Sequence, residues 1–253
     1  MNTAEYLNLL REMSISEFKL KDQSTVLGFL WTLLRPLLMF LVLYFLFTKW
    51  MGARIERYPL YLMTGIIQWN FFATGTSYAL SSLIRRAELV KNLKFPREIL
   101  VISSALTVFI SHVFEMVILL LFVTAMGVLP GPYLLLLPVM MLVELLLVIS
   151  VSLPLSTLCV YYRDIENVWN ILIMAGFFLT PVFYSLSIVS GGKRRILMMN
   201  PITRIINASR DCLVYGRTPE LRSIAVIIFA ATLLFICGYA ILKNREKYFG
   251  EIL

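Results

Sequence analysis

The sequence predicts an all-α integral membrane fold. Six transmembrane helices are expected, with an N-terminal interfacial amphipathic helix before them and short re-entrant or gate helices between spans five and six. Two observations carry this. Of the 253 residues, 59% are hydrophobic and 15% charged, and the mean hydropathy is +0.82. A soluble domain is about 45–50% apolar and about 25% charged, so too little polar surface is present to coat a water-soluble globule. Second, six segments approach the roughly 20 apolar residues that cross a hydrocarbon core of about 30 Å. Disorder, collagen-like repeats and a disulfide scaffold are excluded with the soluble classes.

The expected elements follow in order. Residues 3–22 carry Tyr6, Leu7, Leu10, Met13, Phe18 and Leu20 among Glu5, Arg11, Glu12, Glu17, Lys19 and Lys21. That mixture is too polar to span and fits either a helix lying in the interface or a short soluble helix. Residues 26–50, 60–84, 99–128, 133–161, 168–189 and 224–242 are the six spans of one transmembrane domain. Pro36, Pro138, Pro154 and Pro181 interrupt them, each removing a backbone donor and favouring a kink. Residues 85–97 form a basic connecting segment, and residues 196–215 alternate apolar and basic residues as short re-entrant or surface helices would.

The net charge of +8 does not form a face, because the basic residues interrupt apolar runs. Membrane orientation explains it better than nucleic acid. An even span number leaves both termini on one side, which holds thirteen Lys or Arg against ten opposite. This is a vote for cytoplasmic termini. The dissent comes from Lys193, Arg194, Arg195, Arg204, Arg210, Arg217 and Arg222 between spans five and six. Cys159, Cys212 and Cys237 lie far apart, in no metal-binding or disulfide pattern. The acidic residues Glu5 and Glu12 argue against a cleaved signal peptide.

Three stretches together carry a family pattern. The first runs from Thr25 to Leu38 with Gly28, Trp31 and Pro36. The second includes Tyr58 to Gly65, Trp69 to Phe72, and Leu93-Lys-Phe-Pro-Arg-Glu-Ile-Leu. The third joins Tyr162-Arg-Asp-Ile, Thr180-Pro-Val-Phe-Tyr and Asn200-Pro-Ile-Thr to Arg210 and Tyr215-Gly216. In this order they resemble the permease subunit of type-2 ATP-binding-cassette exporters, in the branch that exports O-antigen, capsule and teichoic acid.

The resemblance implies a homodimer of six-helix subunits in the bacterial cytoplasmic (inner) membrane, bound to two copies of a nucleotide-binding ATPase that holds the ATP and Mg. The chain itself has no GxxxxGK[ST] loop: Ser187 to Arg194 comes nearest, with Ser for the first Gly and Arg for the final Ser or Thr. No cofactor is expected on this chain. Docking to the ATPase falls to Leu89, Asn92, Leu93 and Phe95, with Arg163 and Asp164 at a second turn. The alternatives are an ordinary basic cytoplasmic loop and a local ion pair at a helix start.

A sugar polymer crosses best against flat apolar faces. Trp31, Trp69, Phe71, Phe72, Tyr78, Phe177, Phe178 and Tyr184, with Phe183 beside them, are the candidate channel aromatics, and interfacial belts or lipid-facing filler are their alternative. A lipid-linked cargo with a phosphate or pyrophosphate head group would want cations, and Lys19, Lys21 and Arg35 stand where the first helix meets span one. Arg35 could instead snorkel. Asn200 reads as a helix cap with Pro201 at the first helical position; with Arg210, the resemblance makes these a gate helix beside the channel mouth.

Glu115 and Glu144 lie about 14 or 15 residues from a turn near Leu129 and Pro130, so a hairpin sets them at similar depth, with His112 one turn from Glu115. Either they meet and share a proton, or each finds its own polar neighbour. An integral membrane enzyme is disfavoured, since three aspartates (Asp22, Asp164, Asp211) and one histidine cannot supply a multi-aspartate metal motif or HExxH. Export of teichoic acid, drugs or other small amphiphiles by the same permease class remains the alternative to lipid-linked polysaccharide.

Overall fold

The computed structural model describes residues 2–21, 28–51, 55–128, 131–189 and 191–253, and every regular element among them is a helix. The ends of the first two predicted elements at residues 22 and 26–27, the start of the Thr25 motif, the side chain of Trp50, Ser190 and the Leu129–Pro130 turn lie outside the described residues. Helix α1 is Thr3–Lys21, α2 Leu30–Met51, α3 Tyr58–Leu80, α4 Ser82–Arg85 and α5 Ala87–Asn92. Helix α6 is Glu98–Ala125, α7 Leu137–Tyr161, α8 Ile165–Leu179, α9 Gly192–Met199, α10 Pro201–Leu213, α11 Leu221–Arg245 and α12 Phe249–Ile252.

Among the described residues, four helical stretches are long and apolar enough to cross a membrane: Leu30–Lys49, Glu98–Ala125, Pro132–Tyr161 and Leu221–Tyr248. The other two expected spans differ for identifiable reasons. Helix α3 has the length, but Thr64, Gln68, Asn70, Thr74 and Thr76 dilute its apolar run. The expected span 168–189 ends as a helix at Leu179, because Thr180 is extended (φ −92°, ψ 137°) and Pro181 follows it. Pro138 falls in the first turn of α7 and breaks nothing, whereas Pro154 stands inside that helix.

Helix α3 is the centre of the bundle. Sixteen of its 23 residues are buried, while α8 buries only Phe177 among 15. The buried hydroxyls that make α3 and α7 polar are absorbed locally. Thr64, Thr76, Ser152 and Thr157 each donate to the carbonyl four residues back, at 2.7–3.0 Å. Such back-bonding lets a polar side chain sit in an apolar bundle without an unpaired group.

Helix α1 packs on α6 through its polar side: its buried residues are Ser14 and Glu17. Of the apolar stripe read from the sequence, Leu7 and Leu20 are more than half exposed, while Tyr6, Leu10, Met13 and Phe18 are partly buried and Met13 packs against the core.

Helices α7 and α11 approach most closely where Gly238 faces the ring of Pro154. A Cβ on Gly238 would stand 2.7 Å from Pro154 Cδ and 3.2 Å from Leu153 Cβ, and neither is the end of a flexible chain. Gly238→Ala is therefore expected to lower stability by about 1–3 kcal/mol, read as a lower melting temperature of the detergent-solubilised protein; an unchanged melting temperature would refute the close packing.

Candidate functional site

Three regions hold the residues singled out above. At one end, the predicted connecting segment 85–97 starts at the last residue of α4 and contains α5, so that α4 takes up the end of the expected span 60–84. Asn92 and Leu93 are exposed, Leu89 and Phe95 are partly buried, and Val90 is buried beneath them. The Arg97 guanidinium caps the segment, donating to Leu93 O at 2.7 Å and lying 4.8 Å from the Phe95 ring centre. Two buried carboxylates fasten this end of the molecule, Glu17 at the segment itself and Glu98 just after it. Glu17 of α1 lies 3.5 Å from Arg86 and accepts from Ser104 at 3.0 Å. Glu98 of α6 meets Lys243 of α11 at 3.0 Å, and Lys243 also reaches Glu246 at 3.2 Å. Phe249 of α12 is fully buried in the same cluster as Val90. Arg163 and Asp164 are exposed at the turn between α7 and α8, and Asp164 makes no side-chain cap.

The second region is the face made by α2, α3 and α8. Trp69, Phe177 and Phe178 share with Arg35, Met39 and Ile173 an apolar groove of about 480 Å³. Trp69 rests on the α8 backbone at Gly176, where a Cβ would stand 2.8 Å from its ring. The aromatics run on from there: Trp69 to Phe177 at 6.1 Å, Phe177 to Phe183 at 6.0 Å and Phe183 to Tyr184 at 5.2 Å between centres. Phe178 is 61% exposed and Trp31 37%. Phe72 is partly buried beside Trp69.

Two of the candidate aromatics stand apart from this face. Phe71 is 1% exposed and stacks on His112, so within one subunit it has no surface to offer a channel. Tyr78 sits under the Arg85 guanidinium at 3.9 Å, with Lys21 at 5.6 Å. Lys21 and Arg35 line one pocket with Trp31, which Lys19 does not join.

The third region is α9 and α10. Asn200 caps α10 as its sequence predicts, accepting from Ile202 N at 3.1 Å, with Pro201 in the first turn. Arg210 departs from the gate reading. It is 1% exposed, and its guanidinium donates to Tyr61 O at 3.1 Å, Pro181 O at 2.8 Å and Val182 O at 2.6 Å. It also covers the Tyr61 ring at 3.4 Å. This is a buried tie between α3, α10 and the chain after α8, presenting no charge to a passage. Gln68 strengthens the tie by donating to Ser209 at 2.6 Å. Beside it, burial raises the Asp211 carboxyl above its ordinary range, although Arg217 at 2.7 Å pulls it back.

In the bundle, Asn70 donates to Glu115 at 3.1 Å, and His112 Nδ1 lies 3.8 Å from the other Glu115 oxygen. Glu144 is fully buried on α7, within electrostatic reach of Glu115, and neither of its oxygens has a hydrogen-bond partner among the described residues. The three cysteines are free thiols. Among the described residues no three metal-ligating side chains converge.

Residues 8–214 match the family model described as ABC-2 type transporter. The chain belongs to that family. It is also 27% identical over 253 residues to an O-antigen export system permease protein RfbA of Klebsiella pneumoniae, covering all of this chain and 97% of that protein. A protein of the same name from Myxococcus xanthus is 28% identical over 249 residues, covering 98% of this chain and 96% of the other.

As an ABC-2 permease the chain is a multi-pass membrane transport subunit, in agreement with its apolar helices. Sequence reasoning missed the roles of four residues that build this ABC-2 fold: Glu17, Asn70 and Glu98, which it named only within an amphipathic run and two motifs, and Gln68. Gln68 and Asn70 were detectable as amides within an apolar run; the partners of Glu17 and Glu98 lie 87 and 145 residues away, with no local signal.

The tie at Arg210 is testable by its removal. Arg210→Ala strands three buried carbonyls, and a loss of about 3 kcal/mol or more is expected. Arg210→Lys, with one nitrogen for the three acceptors, should fall between. Thermal melting and the folded fraction on size-exclusion chromatography check both, and a native melting temperature for Arg210→Ala would overturn the assignment.

Proposed function

We propose that this chain is the membrane-spanning subunit of an ATP-driven exporter that moves a lipid-linked, O-antigen-like polysaccharide out of the cytoplasm. Two copies form the passage across the bacterial cytoplasmic membrane, and two copies of a separate ATPase bind ATP and Mg and hydrolyse the nucleotide. The observation that carries the reading is the full-length similarity to O-antigen export permeases. Six spans follow if α3 and the chain from α8 to residue 189 join the four long apolar stretches, leaving both termini cytoplasmic and α9 and α10 outside.

The geometry supports the same reading. Helices α2 and α8 leave large apolar side chains unpacked, including Phe45 at 83%, Met174 at 63% and Leu179 at 64% exposure, as a subunit meant to face a second copy would. The Trp69–Phe177–Phe178 groove beside them offers ring faces for the apolar side of a pyranose without fixing one hydroxyl pattern. Lys21 and Arg35 suit a phosphate on the lipid. The segment α4–α5 gives the ATPase an exposed apolar edge at Leu93; Glu17 of α1 ties that segment at Arg86 to Ser104 of α6, and Glu98 ties α6 to Lys243 of α11.

Pulling down the full-length chain from its own cells should bring a P-loop ATPase with it, and a stable, transport-active complex lacking any ATPase would refute the reading. Phe178→Ser should cut surface glycan severalfold at unchanged protein level, because its ring is mostly exposed and makes only edge contacts to Phe177 and Phe183; unimpaired export would remove it from the passage.

A further inference from the structure

A pocket of about 50 Å³ lies between α2, α3 and α6. Trp31 and Arg35 line it from α2, Asn70 from α3, and Ser111, His112 and Glu115 from α6. Glu115 uses Oε1 to accept from Asn70, while its Oε2 stands 3.8 Å from His112 Nδ1, beyond hydrogen-bond length. Among the described residues, Glu115 Oε2, both His112 ring nitrogens and Ser111 Oγ have no hydrogen-bond partner. All three residues are at most 4% exposed. Buried polar atoms are normally paired, and several unpaired ones around a single space imply a small polar occupant.

The chemistry narrows that occupant. The carboxyl Oε2 can accept, the imidazole can donate on one nitrogen and accept on the other, and the serine can do both. A hydroxyl matches this set: one oxygen set between Glu115 Oε2 and His112 Nδ1 can donate to the first and accept from the second. An alkyl chain would leave all of them unpaired. At about 10–15 Å³ of such space for one water, the pocket holds a few heavy atoms of a substituent and not a whole ring. At the same pocket Arg35 offers a planar guanidinium suited to phosphate, and Trp31 an exposed aromatic face.

We propose that this pocket is a specificity subsite in which Ser111, His112 and Glu115 pair a sugar hydroxyl or hydroxymethyl group while Arg35 faces the phosphate carrying that sugar. The inference rests on the polysaccharide reading above and adds to it the residues that distinguish a glycosylated lipid from its bare carrier.

Binding of two probes to the full-length chain in nanodiscs tests it: a polyprenyl phosphate, and the same lipid phosphate carrying one hexose. Wild type should prefer the glycosylated probe. Ser111→Ala and Glu115→Gln should weaken the glycosylated probe by about tenfold and leave the bare one within about twofold. Arg35→Gln should weaken both alike. Ser111→Ala is small enough to keep the fold if Glu115→Gln does not. Equal loss of both probes in the Ser111 and Glu115 variants, or no loss of either because the pocket holds water only, overturns the subsite. A wild-type protein without any preference for the glycosylated probe overturns the polysaccharide reading itself, and the subsite with it.

Discussion

The guanidinium of Arg210 is the interaction on which the rest of the structure depends. After α8 the chain leaves helical geometry at Thr180, and the buried carbonyls of Pro181 and Val182 lie outside any helix and need other donors. Arg210 reaches back from α10 to the Pro181 and Val182 carbonyls and extends its third bond to Tyr61 on the central helix. The charge is tolerable there because each acceptor is a backbone oxygen at 2.6–3.1 Å and an aromatic face covers the cation. Gly65 is part of the same constraint. Any Cβ there would collide with the Arg210 guanidinium and come within 2.8 Å of Val182 O.

From that tie the working surfaces follow. Ending α8 at Leu179 keeps it short and peripheral, with its ring-bearing side against Trp69 and its opposite side unpacked. The segment after it is then stitched to α3 by Tyr58 and Tyr61, which donate to Phe183 O and Tyr184 O, and to α10 by Asn200, which donates to Thr180. The aromatic run from Trp69 to Tyr184 is therefore held on a rigid frame at one end of the groove. At the other end of the molecule, Glu17 ties Arg86, between α4 and α5, to Ser104 of α6, and Glu98 ties α6 to Lys243 of α11.

Much of this was legible in the sequence, for a physical reason: residues that must meet lipid are selected by composition alone, so the long apolar helices α2, α6, α7 and α11 can be read from run length. The Asn200–Pro201 helix start was legible because a cap is a local motif. Tertiary pairing was not. Pro181 marked a break, but nothing near it in sequence tells that the helix stops there or that Arg210, 29 residues on, closes the gap. Arg210 stood in a basic stretch and in the gate helix that the resemblance implies, and neither tells of its three backbone acceptors. Helix α1 shows the same limit, since the buried Ser14 and Glu17 on its docking side are bonded by Thr107 and Ser104 of α6, far away in sequence.

The central claim is that this frame, driven by a separate ATPase, carries a lipid-linked glycan across a bilayer. The most direct measurement reconstitutes the chain with the ATPase of the same cell in sealed vesicles loaded with lipid-linked glycan, and follows a membrane-impermeant lectin. ATP on the side of the ATPase should make the glycan accessible on the opposite side, with no such gain when the ATPase cannot hydrolyse. Transfer that proceeds equally without ATP, or ATP hydrolysis with no glycan crossing, would contradict the account.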